Sequence, residues 1–199
     1  MDLFGADATR NLLTQGGEAF YHGPVVAAAE ASDMLAEFLS EIPWSHDETV
    51  MFGKRIVTRR EVAWFADGGR SYAYSGTVKT AHPWTESLLR LKSLSEKLTG
   101  AACNSCLLNL YHDGSEGMGW HSDDEPSIVR DSAIASLSFG AERKFSFKHK
   151  LTKETVSLSL EHGSLLVMRG ATQRNWLHQI PKSTKVSSPR VNLTFRMMA

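Results

Sequence analysis

From about residue 105 to the carboxyl terminus the chain is a succession of short apolar alternations, and this pattern most limits the folds open to it. CLLNLY, SAIASLSF, KFSFKH, TVSLSL, SLLVM, NWLHQI and RVNLTFRM follow one another, with HDGSEG, GAER, EHG and PKST among the turns between them. Period-two alternation gives an extended segment one apolar face, and Gly, Asp, Ser and Pro punctuate its ends. Seven candidate strands in a row indicate a sandwich, a barrel or a jelly roll.

The first half reads differently. Residues 1 to about 18 show no sustained periodicity and suggest a loosely held tail. Residues 24–40 open on Pro24 and place Val25, Ala28, Leu35, Phe38 and Leu39 near one helical stripe. A second helix is expected over 84–99, with Leu88, Leu91, Leu94 and Leu98 at helical spacing and Gly100 as its stop. A chain of 199 residues can bury one substantial core and is short for two enzymatic domains, so residues 19–199 are expected to form a single domain.

Charge is balanced, 22 basic against 22 acidic residues, so a polyanion must be held by local patches and not by a global field. Two stretches supply candidates: Lys54, Arg55, Arg59 and Arg60, and Arg143, Lys144, Lys148, Lys150 and Lys153. No apolar run reaches the 18 or so residues of a membrane span, and MDLFGADATR lacks the features of a secretory signal. A soluble, monomeric, cytoplasmic protein with no membrane partner is expected, acting at the nucleoid if bacterial. Cys103 and Cys106 form one C-x-x-C without a second pair, and on an extended segment they face opposite sides; buried thiols are expected.

In GWHSDDEP, His121 and Asp123 are two apart, so an extended backbone projects both from one face toward a common ion. His178, in NWLHQIP, lies 55 positions beyond Asp123 on a late candidate strand. Two imidazoles and one carboxylate make a facial triad that leaves three positions open on octahedral Fe(II). Taken alone, an H-x-D pair could be chance among eight histidines. His22, His46, His82, His149 and His162 read as structural, with His149 on a solvated face and His162 in a turn.

The last strand adds the argument that weighs most. RVNLTFR sends Val191, Leu193 and Phe195 to one face and Arg190, Asn192, Thr194 and Arg196 to the other. The two arginines are separated by roughly 20 Å of strand, so they suit a small dicarboxylate lying between them. The bland alternative is the polar outer face of an edge strand.

MFGK, SYAYSG, LLNLYHDG, MGWHSDDEP, IASLSFGAERKFSFKHK, HGSLLVM and PRVNLTFR, in this order and spacing from about residue 50 to 198, resemble the AlkB family of Fe(II)/2-oxoglutarate dioxygenases, particularly its duplex-DNA-repair branch. The resemblance implies an α+β, mostly β fold: a double-stranded β-helix, or jelly roll, with flanking packing helices. It also implies a nucleotide-recognition lid at about 50–80 and a jelly-roll core at about 105–198.

By that resemblance His121, Asp123 and His178 are the iron ligands and catalytic centre. Asn109, Tyr111, Arg190, Asn192, Thr194 and Arg196 bind 2-oxoglutarate, with the assignment of each arginine left open. Asp124 contacts the damaged base with Glu125 beside it, and Tyr72 and Tyr74 form the lid over that base. Met51, Phe52 and Gly53 resemble an apolar finger that fills the gap in the duplex, and Lys54 meets phosphate. Met51 departs mildly from the family's usual aliphatic residue.

The implied activity is oxidative dealkylation of bases such as 1-methyladenine and 3-methylcytosine in DNA, duplex favoured over single strands. Formaldehyde is released, O2 is consumed and 2-oxoglutarate becomes succinate and CO2. Two alternatives stay open: the same chemistry on RNA or a protein side chain, and a non-catalytic cupin-like metal-binding module.

Overall fold

The computed structural model describes the backbone of residues 7–51, 54–69, 71–74 and 77–199, and the side chains of 7–46, 57–68 and 80–199. Eight of its strands wind into the double-stranded β-helix. They are β6 (Ser105–Tyr111), β7 (Met118–His121), β8 (Ile134–Gly140), β9 (Arg143–His149), β10 (Thr155–Leu160), β11 (Ser164–Arg169), β12 (Trp176–Ile180) and β13 (Arg190–Arg196). All seven alternating segments of the carboxyl-terminal half are strands, and MGWH adds β7.

Strands β6, β13, β8 and β11 lie in one sheet, and β7, β12, β9 and β10 form the other. The chain therefore crosses repeatedly between two facing sheets, which is how distant segments come to share one interior. The first sheet is extended by β1 (Glu18–Pro24) beside β11, and by β3 (Lys54–Ala66) and β2 (Ser45–Met51) beyond β6. A separate hairpin joins β4 (Ser71–Tyr74) to β5 (Thr77–Thr80).

Helices α1 (Ala28–Glu41) and α2 (Glu86–Thr99) cover the outer face of the large sheet. Helix α2 starts where expected because the Thr85 hydroxyl accepts the Leu88 N–H, and it stops at Gly100, whose φ of 68° suits glycine. Helix α1 begins four residues later than its pattern suggested, because residues up to Pro24 pair with β11 instead. Its buried stripe is Ala31, Met34 and Phe38; Leu39 is exposed.

Two apolar clusters result. Phe38, Leu88 and Leu91 pack against Leu108, Leu137, Leu193 and Phe195 outside the jelly roll. Phe145, Phe147, Leu166, Met168 and Trp176 pack within it. Leu13 joins the second cluster, and Asn11 bonds Gly17, Leu13 and Ala19. The second half of the stretch read as a loose tail is thus tied down, through side-chain hydrogen bonds that leave no periodic signature. Cys103 and Cys106 are buried free thiols, and burial pushes Cys103 up to about 12. Among the described residues no helix is long and apolar enough to cross a membrane.

Candidate active site

Strand β13 is fourth in the seven-stranded sheet, so its polar face is no solvated edge. All seven of its residues are buried. Val191, Leu193 and Phe195 meet the helices, while Arg190, Asn192, Thr194 and Arg196 are sealed on the other side at 0, 7, 7 and 8% exposure. Burying two guanidiniums is costly unless they are partnered, which marks that face as a candidate anion site.

The small sheet supplies the metal-ligand candidates opposite it. Strands β7 and β12 run antiparallel with His121 directly across from His178, so the two imidazoles leave the same face and their ring centroids stand 4.2 Å apart. His178 is stacked on Phe145 at 5.4 Å. Asp123 lies just past the end of β7. Ligand atoms of His121, Asp123 and His178 lie within 4.8 Å of one another, close enough to meet one ion.

Protonation states suit that role. Burial lowers the pKa of His178 to about 3, assisted by His121 and opposed by Asp123, so its imidazole is neutral and has a lone pair to give. His121 donates Nδ1–H to the Gly119 carbonyl at 2.8 Å, which leaves Nε2 toward Asp123. Burial alone would raise the Asp123 carboxyl, but the Arg196 guanidinium leads the influences that hold it below the usual carboxylate range.

The triad opens into a cavity of about 810 Å³ between the sheets, lined also by Asn109, Tyr111, Asn192, Thr194 and Arg196. Asn192 accepts from Ser136 and Arg190 and donates to Thr194. Arg190 stands behind this wall with its guanidinium 5.5 Å from the Tyr111 ring. One of its nitrogens donates to Ser138 and Asn192, while Nε and Nη1 are buried without a hydrogen-bond partner among the described residues. Burial lowers this guanidinium to about 10.

Several sequence expectations change here. Asp124 is exposed and does not line the cavity, whereas Glu125 does, in step with the two-residue spacing of His121 and Asp123. Burial pushes the Glu125 carboxyl up against the opposing pull of Arg196, and its Oε2 finds no hydrogen-bond partner among the described residues. Tyr72 and Tyr74 lie on β4 and Met51 and Lys54 at the facing ends of β2 and β3, but their side chains, like all of Phe52 and Gly53, fall outside the described residues.

The two basic stretches are not simple phosphate clamps. Arg60 is buried and donates to Asn109 Oδ1 in the cavity wall. Arg143, only 2% exposed, binds the carbonyls of Glu116 and Pro181 at 2.7 and 2.9 Å. His149 is likewise buried and accepts the N–H groups of Leu151 and Thr152, not solvated as its lysine neighbours suggested. Arg60 read as part of a phosphate patch because β3 went unrecognised; with β3 a strand, Thr58, Arg60, Val62 and Trp64 alternate into the cavity.

Residues 18–196 match the 2OG-Fe(II) oxygenase superfamily. The chain is 39% identical over 179 residues to the DNA oxidative demethylase ALKBH2 of Mus musculus, covering 84% of this chain and 75% of that protein. The chain belongs to the AlkB family of 2OG-Fe(II) oxygenases. It is also 39% identical over 181 residues to the human alpha-ketoglutarate-dependent dioxygenase alkB homolog 3, covering 86% of this chain and 63% of that protein. The Bos taurus homolog 3 is similar at 39% over 177 residues, with 84% and 61% covered, so this chain spans less than two thirds of the homolog 3 proteins. The solved structure of OsALKBH1 shares the fold, with a TM-score of 0.64 at 16% identity, covering 93% of this chain and 99% of that one.

AlkB membership implies Fe(II), 2-oxoglutarate and O2. The residues present fit both groups. Two neutral-capable imidazoles and one anionic carboxylate suit Fe(II), and the two unpartnered buried donors of Arg190, with Arg196 further along the same face, suit a dicarboxylate.

Proposed function

We propose that this AlkB-family chain removes alkyl groups oxidatively from N-alkylated bases in DNA, such as 1-methyladenine and 3-methylcytosine, releasing formaldehyde as 2-oxoglutarate becomes succinate and CO2. The observation that carries the proposal is the buried polar face of β13, which sets Arg196 in and Arg190 behind the wall of the cavity that holds the triad. A merely structural metal module has no use for a sealed arginine pair in that place.

Bound iron would supply the activation of O2 coupled to decarboxylation of the cosubstrate. The chain's own residues do the rest. His121, Asp123 and His178 would hold the ion at the cavity wall. Arg196, with Nε 4.0 Å from Asp123 Oδ2, is placed for the cosubstrate carboxylate nearest the metal. Arg190, six residues along the strand, has Nε and Nη1 available for the distal carboxylate, with the Tyr111 ring beside it. Asn109, Asn192 and Thr194 line the path between them.

For the base, Glu125 offers a carboxylate at the cavity wall, suited to the positive charge of a methylated adenine or cytosine ring. Such bases pair poorly, so extruding them costs less. DNA is favoured because relatives in Mus musculus and Homo sapiens are named DNA oxidative demethylases. Duplex preference rests on the resemblance of Met51 to Lys54 to an intercalating finger. The test is formaldehyde release from methylated oligonucleotides, single-stranded and duplex, with and without 2-oxoglutarate. Release that depends on the cosubstrate supports the reading; none from DNA, with release from RNA or a methylated peptide, would replace the substrate.

A further inference from the structure

We infer that Gln173 is a positioning residue for the metal centre, because its side-chain amide locks the backbone of Asp123 to the segment that carries His178. The inference rests on the assignment of the triad as the metal site. Strand β7 ends at His121, and Asp123 lies beyond its ladder with β12. The Asp123 N–H has no backbone acceptor among the described residues, and Gln173 Oε1 takes it at 2.9 Å. Only the amide oxygen can face a donor, so the orientation of the side chain is set. Its Nε2 donates to Met168 Sδ at 3.5 Å, on β11.

The geometry ties ligands from different strands together. Gln173 sits in the short α3 helix (Thr172–Asn175), which runs directly into β12, five positions ahead of His178. Lys150 fastens the same junction, donating to the Gln173 carbonyl at 2.8 Å and to Ser122 Oγ at 3.2 Å. One amide thus fixes Asp123 relative to His178, while Lys150 holds the residue between His121 and Asp123. Metal–ligand distances tolerate only about ±0.2 Å, and loss of outer partners of a ligand commonly weakens metal binding roughly 10- to 100-fold. A backbone hydrogen bond next to the carboxylate ligand belongs to that class.

Metal-free protein titrated with Co(II), without cosubstrate or DNA, tests this through the visible absorption of the bound ion. Gln173→Met keeps the side-chain length and removes the acceptor, and it should bind Co(II) at least about tenfold more weakly. Gln173→Asn keeps an amide one methylene short and should fall with it. Gln173→Glu restores an accepting oxygen and should recover most of the affinity. Arg174→Ala, which removes an exposed ion pair with Asp131 from the same helix, should bind as the parent does. Parental affinity in Gln173→Met, an equal loss in Arg174→Ala, or no recovery in Gln173→Glu overturns the inference. Parental binding by His121→Ala would instead overturn the triad itself, so the two failures can be told apart.

Discussion

Arg196 Nε stands 4.0 Å from Asp123 Oδ2, and Arg196 Nη1 stands 4.0 Å from Glu125 Oε2, with the Arg196 side chain 10% exposed. One guanidinium on the large sheet therefore faces both the carboxylate proposed for the metal and the one proposed for the base. Its charge is the leading influence holding Asp123 ionised against burial, and it also draws Glu125 down while burial pushes that carboxyl up. The candidate metal, cosubstrate and base sites share this single cation, which makes its chemistry the most informative to alter.

Arg196→Lys should raise the 2-oxoglutarate concentration needed for half-maximal turnover about tenfold or more, because an ammonium cannot reproduce the planar two-point contact of a guanidinium. Affinity for the oligonucleotide, measured by fluorescence anisotropy without cosubstrate, should change little. An unaltered cosubstrate requirement would show that the polar face of β13 does not bind it.

His121→Ala, Asp123→Ala and His178→Ala should each abolish demethylation, since each removes one of three proposed ligands drawn from two strands and the segment after one of them. Asp123→Glu should fail as well: the longer arm displaces the carboxylate by more than the roughly ±0.2 Å that metal distances tolerate. Formaldehyde release with iron as the sole added metal measures this, and substantial activity in any of the four would remove that residue from the triad.

The jelly roll, and the gathering of the candidate site residues around one cavity, were legible because those residues sit on regular strands. His121, His178, Asn109 and the four polar residues of β13 occupy alternate positions whose partners make the second period visible. Reading failed where periodicity ended or was masked. Gln173 occupies a one-turn helix that no pattern announces. Strand β3 reads as a basic stretch, KRIVTRREVAWFA, and its Arg60 looked like a surface charge until β6 was found beside it. Arg143 misled for the same reason: nothing local tells a lysine-like neighbour of Lys144 from a buried staple between loops.

That staple has a measurable weight. Arg143→Met leaves the Glu116 and Pro181 carbonyls without their donor and removes the cation 5.6 Å from the Tyr111 ring. Orphaning buried acceptors costs about 1–3 kcal/mol each at most, partly relieved by water, so a loss of roughly 2–4 kcal/mol in urea unfolding is expected. Lys144→Met, on the exposed face of the same strand, should stay within about 0.5 kcal/mol of the parent. Equal effects from the two substitutions would mean that Arg143 contributes no more than an ordinary surface charge.

Phe52 provides the sharpest test of duplex preference. If its ring enters the gap left by the extruded base, it offsets part of the few kcal/mol that unstacking costs, and Phe52→Ala forfeits that contact. A methylated single strand has no gap to fill, so its turnover should fall much less. The deciding quantity is the duplex-to-single-strand ratio of initial formaldehyde release rates, compared between variant and parent. A loss of about 1.4 kcal/mol in the duplex complex would lower that ratio tenfold. If both substrates suffer alike, Phe52 supports the fold or the site in general, and the duplex reading falls while the dioxygenase assignment stands.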